Sequence, residues 1–78
     1  MKRVNVRVLY PFKDSILASR IEHMAALHRG VWWCGGNLSD SLGESNFAFG
    51  HRESAFGFVL RINLLPAVRA AIDFEVDD

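Results

Sequence analysis

The stretch KRVNVRVLY, residues 2–10, alternates through its middle: Val4, Val6 and Val8 fall on one side, Arg3, Asn5 and Arg7 on the other. A period of two belongs to an extended strand, and one apolar side means that the strand is half buried. Whatever else the chain forms must cover those valines. Pro11 ends the strand, because it has no N–H to give to a ladder.

From about Asp14 to Arg29 the period becomes that of a helix. Leu17, Ile21, Met24 and then Leu27 or His28 form an apolar stripe, with Ser19, Arg20, Glu22, His23 and Ala26 on the wet side. Asp14 or Ser15 can cap the first turn by accepting a bond from one of its free amides. His28 and Arg29 suit the negative end of the helix dipole, and Gly30 is the residue expected to take a left-handed stop.

The next stretch reads as a hairpin. Strand two covers about Val31–Cys34, with Gly35 and Gly36 bulging or loosening its end. A polar turn lies within NLSDSLGE, and strand three spans roughly Ser45–His51. The segment Ser54–Leu65 fits both periods. A strand would align Phe56, Phe58, Leu60, Ile62 and Leu64; a helix would align Ala55, Phe58, Val59, Ile62 and Leu65, with Ser54 as N-cap. The helix is favoured, since Pro66 follows as a stop and Gly57 costs only about 1 kcal/mol inside it. The sequence AAIDFEVDD then closes a second helix–strand unit. Its Ile72, Phe74 and Val76 alternate with Asp73, Glu75 and Asp77, which places Phe74 in the core beside the valines.

The order β-α-β-β-α-β is an α+β arrangement, the ferredoxin-like split βαβ plan, as a single domain over residues 1–78. It implies four antiparallel strands in the order 4-1-3-2 with two helices on one face. The alternative is a longer three-stranded meander with a C-terminal helix from Leu65.

A chain of 78 residues, half of them hydrophobic, can bury one small core and is not composed like a disordered segment. No apolar run approaches the roughly 18–20 residues of a membrane span. The alternating N-terminal stretch lacks the unbroken apolar block of a signal peptide. Cys34 is the single cysteine, so an internal disulfide is ruled out, and a reducing cytoplasmic setting is expected.

The net charge of zero hides a split. Four of the nine acids, Asp73, Glu75, Asp77 and Asp78, lie in the last six residues. The remainder is basic, which suits either a nucleic-acid surface or two neighbouring strands that neutralise each other. Strand four lies beside strand one in this plan, so Arg3 and Arg7 are expected opposite Asp73, Glu75 or Asp77. Such cross-strand pairs contribute about 0.2–1 kcal/mol each.

Phe-small-Phe occurs twice, at Phe47-Ala48-Phe49 and Phe56-Gly57-Phe58, and in length and strand order the chain resembles an RNA-recognition motif. Phe56-Gly57-Phe58-Val59 matches four of the eight positions of that family's third-strand signature, but it falls in the second helix. The correctly placed copy, Ser45 to Arg52, matches three. Strand one offers Arg3, Asn5 and Arg7 where the family needs a stacking ring. Core aromatics are therefore the expected reading, with single-strand RNA binding as an alternative.

Catalytic, cofactor and metal chemistry find no carrier. His23 and His28 diverge by about 140° around the helix, and Cys34 has no second cysteine and no His-x-x-x-His or carboxylate cluster beside it. Pairing Cys34 with His51 across the hairpin would still lack a third, orienting group. Gly35-Gly36 is followed by neither the helix nor the lysine of a phosphate loop. No cofactor and no enzymatic activity are expected.

The pair Trp32-Trp33 is the more informative feature. Neighbours on a strand point to opposite faces, so one ring packs under the first helix and the other meets the open side or the edge. An exposed tryptophan is a natural binding anchor. In size and overall plan the chain is similar to small phage-encoded inhibitors, in particular anti-CRISPR proteins. The likeness implies docking on a bacterial CRISPR-Cas effector in the host cytoplasm, through Trp32 or Trp33. The acids Asp40, Glu44, Asp73, Glu75, Asp77 and Asp78 would meet a basic groove. The plan also resembles the amino-acid-sensing ACT domains, although YPFKDS has Phe12 where that family carries glycine after proline. Open sheets of this kind often dimerise, which leaves self-association open.

Overall fold

A computed structural model describes residues 2–77. Its elements are β1 (Lys2–Pro11), α1 (Ser15–Leu27), β2 (Val31–Asn37), β3 (Leu42–Phe49), α2 (Arg52–Ile62) and β4 (Arg69–Asp77). The strands form one antiparallel sheet in the order β2-β3-β1-β4, which counted from the other edge is β4-β1-β3-β2.

The segment with two readings is helical. As α2 it buries Ala55, Phe58 and Ile62, three positions of one helical stripe. A strand would have aligned Phe56, Leu60 and Leu64 with Phe58, yet these three are 50%, 71% and 82% exposed. The expected N-cap Ser54 lies inside the helix. His51 occupies that position with extended backbone and no side-chain bond.

Helix α1 begins as its sequence demands, with Asp14 Oδ1 accepting from the Leu17 amide at 2.9 Å. Ile21 and Ala25 are buried, with Leu17 and Met24 packed beside them; Leu27 is exposed. The stop is made by Arg29 rather than Gly30: Arg29 has φ of 63° and no glycine has positive φ. The amides of Arg29 and Gly30 return to the carbonyls of Ala26 and Ala25 at 2.9 and 2.7 Å, closing the last turn. Gly30 is needed for space instead, since a Cβ there would sit 2.5 Å from the Phe49 ring.

The core gathers Val4, Val6 and Val8 of β1, Phe47 and Phe49 of β3, Ile21 of α1, and Phe58 and Ile62 of α2. Phe47 and Phe49 meet Phe58 with ring centroids 5.6 and 5.3 Å apart. Both helices thus cover the valine side of the sheet. Phe56 points away from this core and is half exposed. The other side of β1, which carries Arg3, Asn5 and Arg7, has no helix over it.

The expected placing of Arg3 and Arg7 opposite Asp73, Glu75 or Asp77 is not the one adopted. The register sets Arg3 opposite Val76 and Arg7 opposite Ala71. Arg7 pairs with Glu44 of β3 at 2.8 Å. Glu75 faces the helix side and accepts from Arg52 Nε at the start of α2 at 2.6 Å.

Candidate functional site

The uncovered sheet face is organised by two bulges, one on each edge strand. On β2, Trp32 pairs with Phe47 and Cys34 with the adjacent Asn46, so Trp33 is the extra residue. On β4, Phe74 pairs with Asn5 and Ile72 with the adjacent Val6, so Asp73 is the extra residue. A bulge twists its strand and re-aims the side chains next to it. Here both bulges send an aromatic ring toward the middle of the open face. Trp33 and Phe74, from opposite edges of a four-stranded sheet, stand edge to face with centroids 6.5 Å apart and planes at 79°.

This overturns two expectations. Phe74 is not in the core: the bulge at Asp73 shifts the parity, so Ile72 faces the helices and Phe74 faces out, 44% exposed. Gly35 and Gly36 do not bulge, but pair regularly with Ser45 and Glu44.

Beneath Trp33 runs a chain of polar groups. The indole Nε1 donates to Asn5 Oδ1 at 2.6 Å. Asn5 Nδ2 donates to Asn46 Oδ1 at 2.9 Å, and Asn46 Nδ2 donates to Glu44 Oε1 at 2.8 Å. Glu44 Oε2 holds the Arg7 guanidinium at 2.8 Å. Each bond points the same way, from the indole toward the carboxylate, so each amide dipole is aligned with the next. The donor Asn46 holds the Glu44 carboxyl below its ordinary pKa, and Arg7 adds a further bond and its charge, against an opposing effect of burial. Asn5 and Asn46 are buried on a sheet face that no helix covers, at 3% and 5% exposure. Trp33 and Arg7 supply part of the roof.

The two tryptophans divide between the faces as expected of strand neighbours. Trp32 lies on the helix side, where it lines a polar cavity with Tyr10, Phe12 and Glu22. Each ring is about half exposed. Trp33 lines an apolar cavity of about 270 Å³ with Val31, Ala48 and Phe74, and Arg3 stands at its rim.

Among the described residues, the acids singled out in the sequence are not brought together. Asp40 is exposed at the tip of the β2–β3 connection, and Glu44 is held within the polar chain. Asp73 is the exposed bulge residue, while Glu75 is turned toward α2. Asp77 is the last residue of β4, and Asp78 lies outside the described residues. Cys34 faces Asn46, well short of His51. Among the described residues no group of three potential metal ligands occurs, and no helix is long and apolar enough to cross a membrane.

Sequence reasoning missed Asn5, Asn46 and Phe74 as parts of this site. The first two carried a faint signal, being polar residues of central strands, but their partners lie up to 41 residues away in the chain.

No protein-family model matches the chain, and no curated protein matches its sequence.

Proposed function

We propose that the chain is a non-enzymatic binding module that docks on a protein partner through the open face of its sheet, with Trp33 and Phe74 as the anchor. The observation that carries this reading is a half-exposed tryptophan whose position is already fixed. Its N–H is spent on Asn5 at 2.6 Å and its ring rests against Phe74. A large aromatic held in place loses little conformational freedom on binding, which is what an anchor residue needs. We read the fold as ferredoxin-like, supported by the element order and by both helices packing on one side of the sheet.

In the narrower form of this reading the module is a cytoplasmic, phage-type inhibitor that docks on a CRISPR-Cas effector and blocks its access to nucleic acid. The aromatic anchor supports docking. The acids do not make a continuous surface for a basic groove, so contact through Trp33 is the form retained. Size-exclusion chromatography with purified effector complexes tests it. Co-elution of the wild type that is lost in Trp33→Ala supports the inhibitor, and no co-elution with any effector type removes it.

A single-strand RNA reading has one observation in its favour: Arg3, Arg7 and Arg69 share the face with the two rings. Its signature would be oligonucleotide binding that falls steeply with salt.

A further inference from the structure

The chemistry of the partner follows one step further, resting on the docking reading above. Two cavities open on the uncovered face, in line along β1. The first is the 270 Å³ cavity between Trp33 and Phe74, rimmed by Arg3. The second, of about 240 Å³, is lined on this face by Leu9 and Ala71, with Arg7, Arg69 and Asp73 beside them. Strand β1 lines the first with Arg3–Asn5 and the second with Arg7 and Leu9, so the two are centred four positions apart, which is about 13 Å on a strand.

The polar groups divide into those already used and those presented outward. Asn5 both donates and accepts within the protein and is almost wholly buried. Arg7 is engaged by Glu44. Arg3 and Arg69 are exposed, one at each cavity. An occupant therefore meets two apolar hollows, each with an exposed guanidinium at its edge, and at the second Asp73 stands beside Arg69.

We propose that this face takes an extended, acidic segment of a partner protein. Two of its apolar side chains, four residues apart, fill the cavities, and its carboxylates lie on Arg3 and Arg69. An extended chain sends residues i and i+4 to the same side at the required spacing of about 13 Å. A helix does so less well, since i+7 falls short at about 10.5 Å and i+8, at about 12 Å, is turned about 80° around the axis. A nucleic acid fits less well. Its phosphates recur at every step, whereas the exposed guanidiniums of this face stand at two separate points, one at each cavity. Rings crossed at 79° also offer no pair of parallel platforms for neighbouring bases.

Selection of displayed random heptapeptides on the immobilised chain tests this, followed by titration of the synthetic winners and NMR mapping of their contacts. The expected winners carry two large apolar residues at i and i+4 with Asp or Glu between or beside them, and shift resonances of β1 and β4. Their affinity falls at least tenfold in Arg3→Glu or Arg69→Glu, and less in Arg3→Gln, which removes the charge without reversing it. Winners that map to Trp33 but are basic, or that ignore both reversals, overturn the acidic partner and leave docking standing. Winners that map to the helix side, or no winners at all, overturn both. Tighter binding of octauridylate than of any winner at the same salt overturns the proposal in favour of nucleic acid.

Discussion

Trp33 on edge strand β2 donates its indole N–H to Asn5 on β1 at 2.6 Å, reaching across the whole of β3. The side chain it crosses is Ala48, the partner of Asn5 on β3, and a larger residue there would lift the ring from the sheet. Asn5 in turn is buried beneath a ring that is itself half exposed. The anchor and its support therefore depend on each other, and removal of either is felt by both.

Asn5→Ala leaves Asn46 without its donor and Trp33 without its acceptor. An unsatisfied buried polar group costs about 1–3 kcal/mol. The expected loss in a urea melt lies in that range, with a red shift of tryptophan emission as the indole is released. Trp33→Phe keeps a ring but not the N–H, so it should cost less. An Asn5→Ala variant as stable as the wild type, with unchanged emission, would show that the polar chain does not hold the ring.

Much of the fold was readable because it rests on periods that local sequence carries. The valines of β1, the Asp14 cap and the burial of Phe47 and Phe49 follow from alternation and capping chemistry. The site was less readable, because a single extra residue in a strand inverts every later side chain. Nothing in RAAIDFEVD marks Asp73 as that residue, and Gly35-Gly36 drew attention away from Trp33. The Asn5–Asn46 bond joins residues 41 apart, a relation that only the folded sheet creates. The left-handed stop is taken by Arg29, while Gly30 leaves the space that the ring of Phe49 fills.

Glu44 gives the fold an acid sensitivity of definite sign. Its pKa is lowered from 4.5, first by the bond from Asn46 and then by Arg7, against burial. A carboxyl that is more acidic in the folded state stabilises it above the unfolded value. That contribution disappears as pH falls below 4.5 through the folded value. The gap in urea midpoint between wild type and Glu44→Gln is therefore widest near neutral pH and narrows in acid. A gap that stays constant would mean that the carboxylate contributes no charge-dependent stability.

Two backbone positions are strained and open to improvement. Arg29 and Ala67 have φ of 63° and 66°, a region costly for any residue with a Cβ. Arg29→Gly and Ala67→Gly should each stabilise by about 0.5–1 kcal/mol, the relief being partly offset by the freedom of glycine in the unfolded chain. Thermal melts of the two single variants and the double variant would check this. Near-additive gains are expected, since the positions lie on separate turns.

Gly57 and His28 form a packing pair between α2 and α1. A Cβ at Gly57 would come within 3.1 Å of the imidazole Cε1, so the ring occupies the space that the glycine leaves. Alanine is otherwise the better helix residue by about 1 kcal/mol. Gly57→Ala should thus be less favourable in the wild type than in a His28→Ala background, where the propensity gain appears undiminished. A double-mutant cycle with zero coupling energy would refute the contact.

Deletion of Asp73 isolates what its bulge contributes. The shortened strand keeps Ile72 opposite Val6 and Phe74 opposite Asn5, so the hydrophobic pattern still fits and the far-UV circular dichroism should be unchanged. What disappears is the added twist, and with it the tilt that carries Phe74 to Trp33. The near-UV signal of the ring pair should weaken. The outer edge of β4 is clipped near its start, where Asn63 donates to the Ala70 carbonyl at 3.0 Å and accepts from its amide at 2.8 Å. A straightened edge beyond that clip is a better template for another strand, so light scattering should register more self-association than in the wild type. Unaltered near-UV dichroism in the deletion variant would mean that the ring contact is set by Trp33 and Asn5 alone.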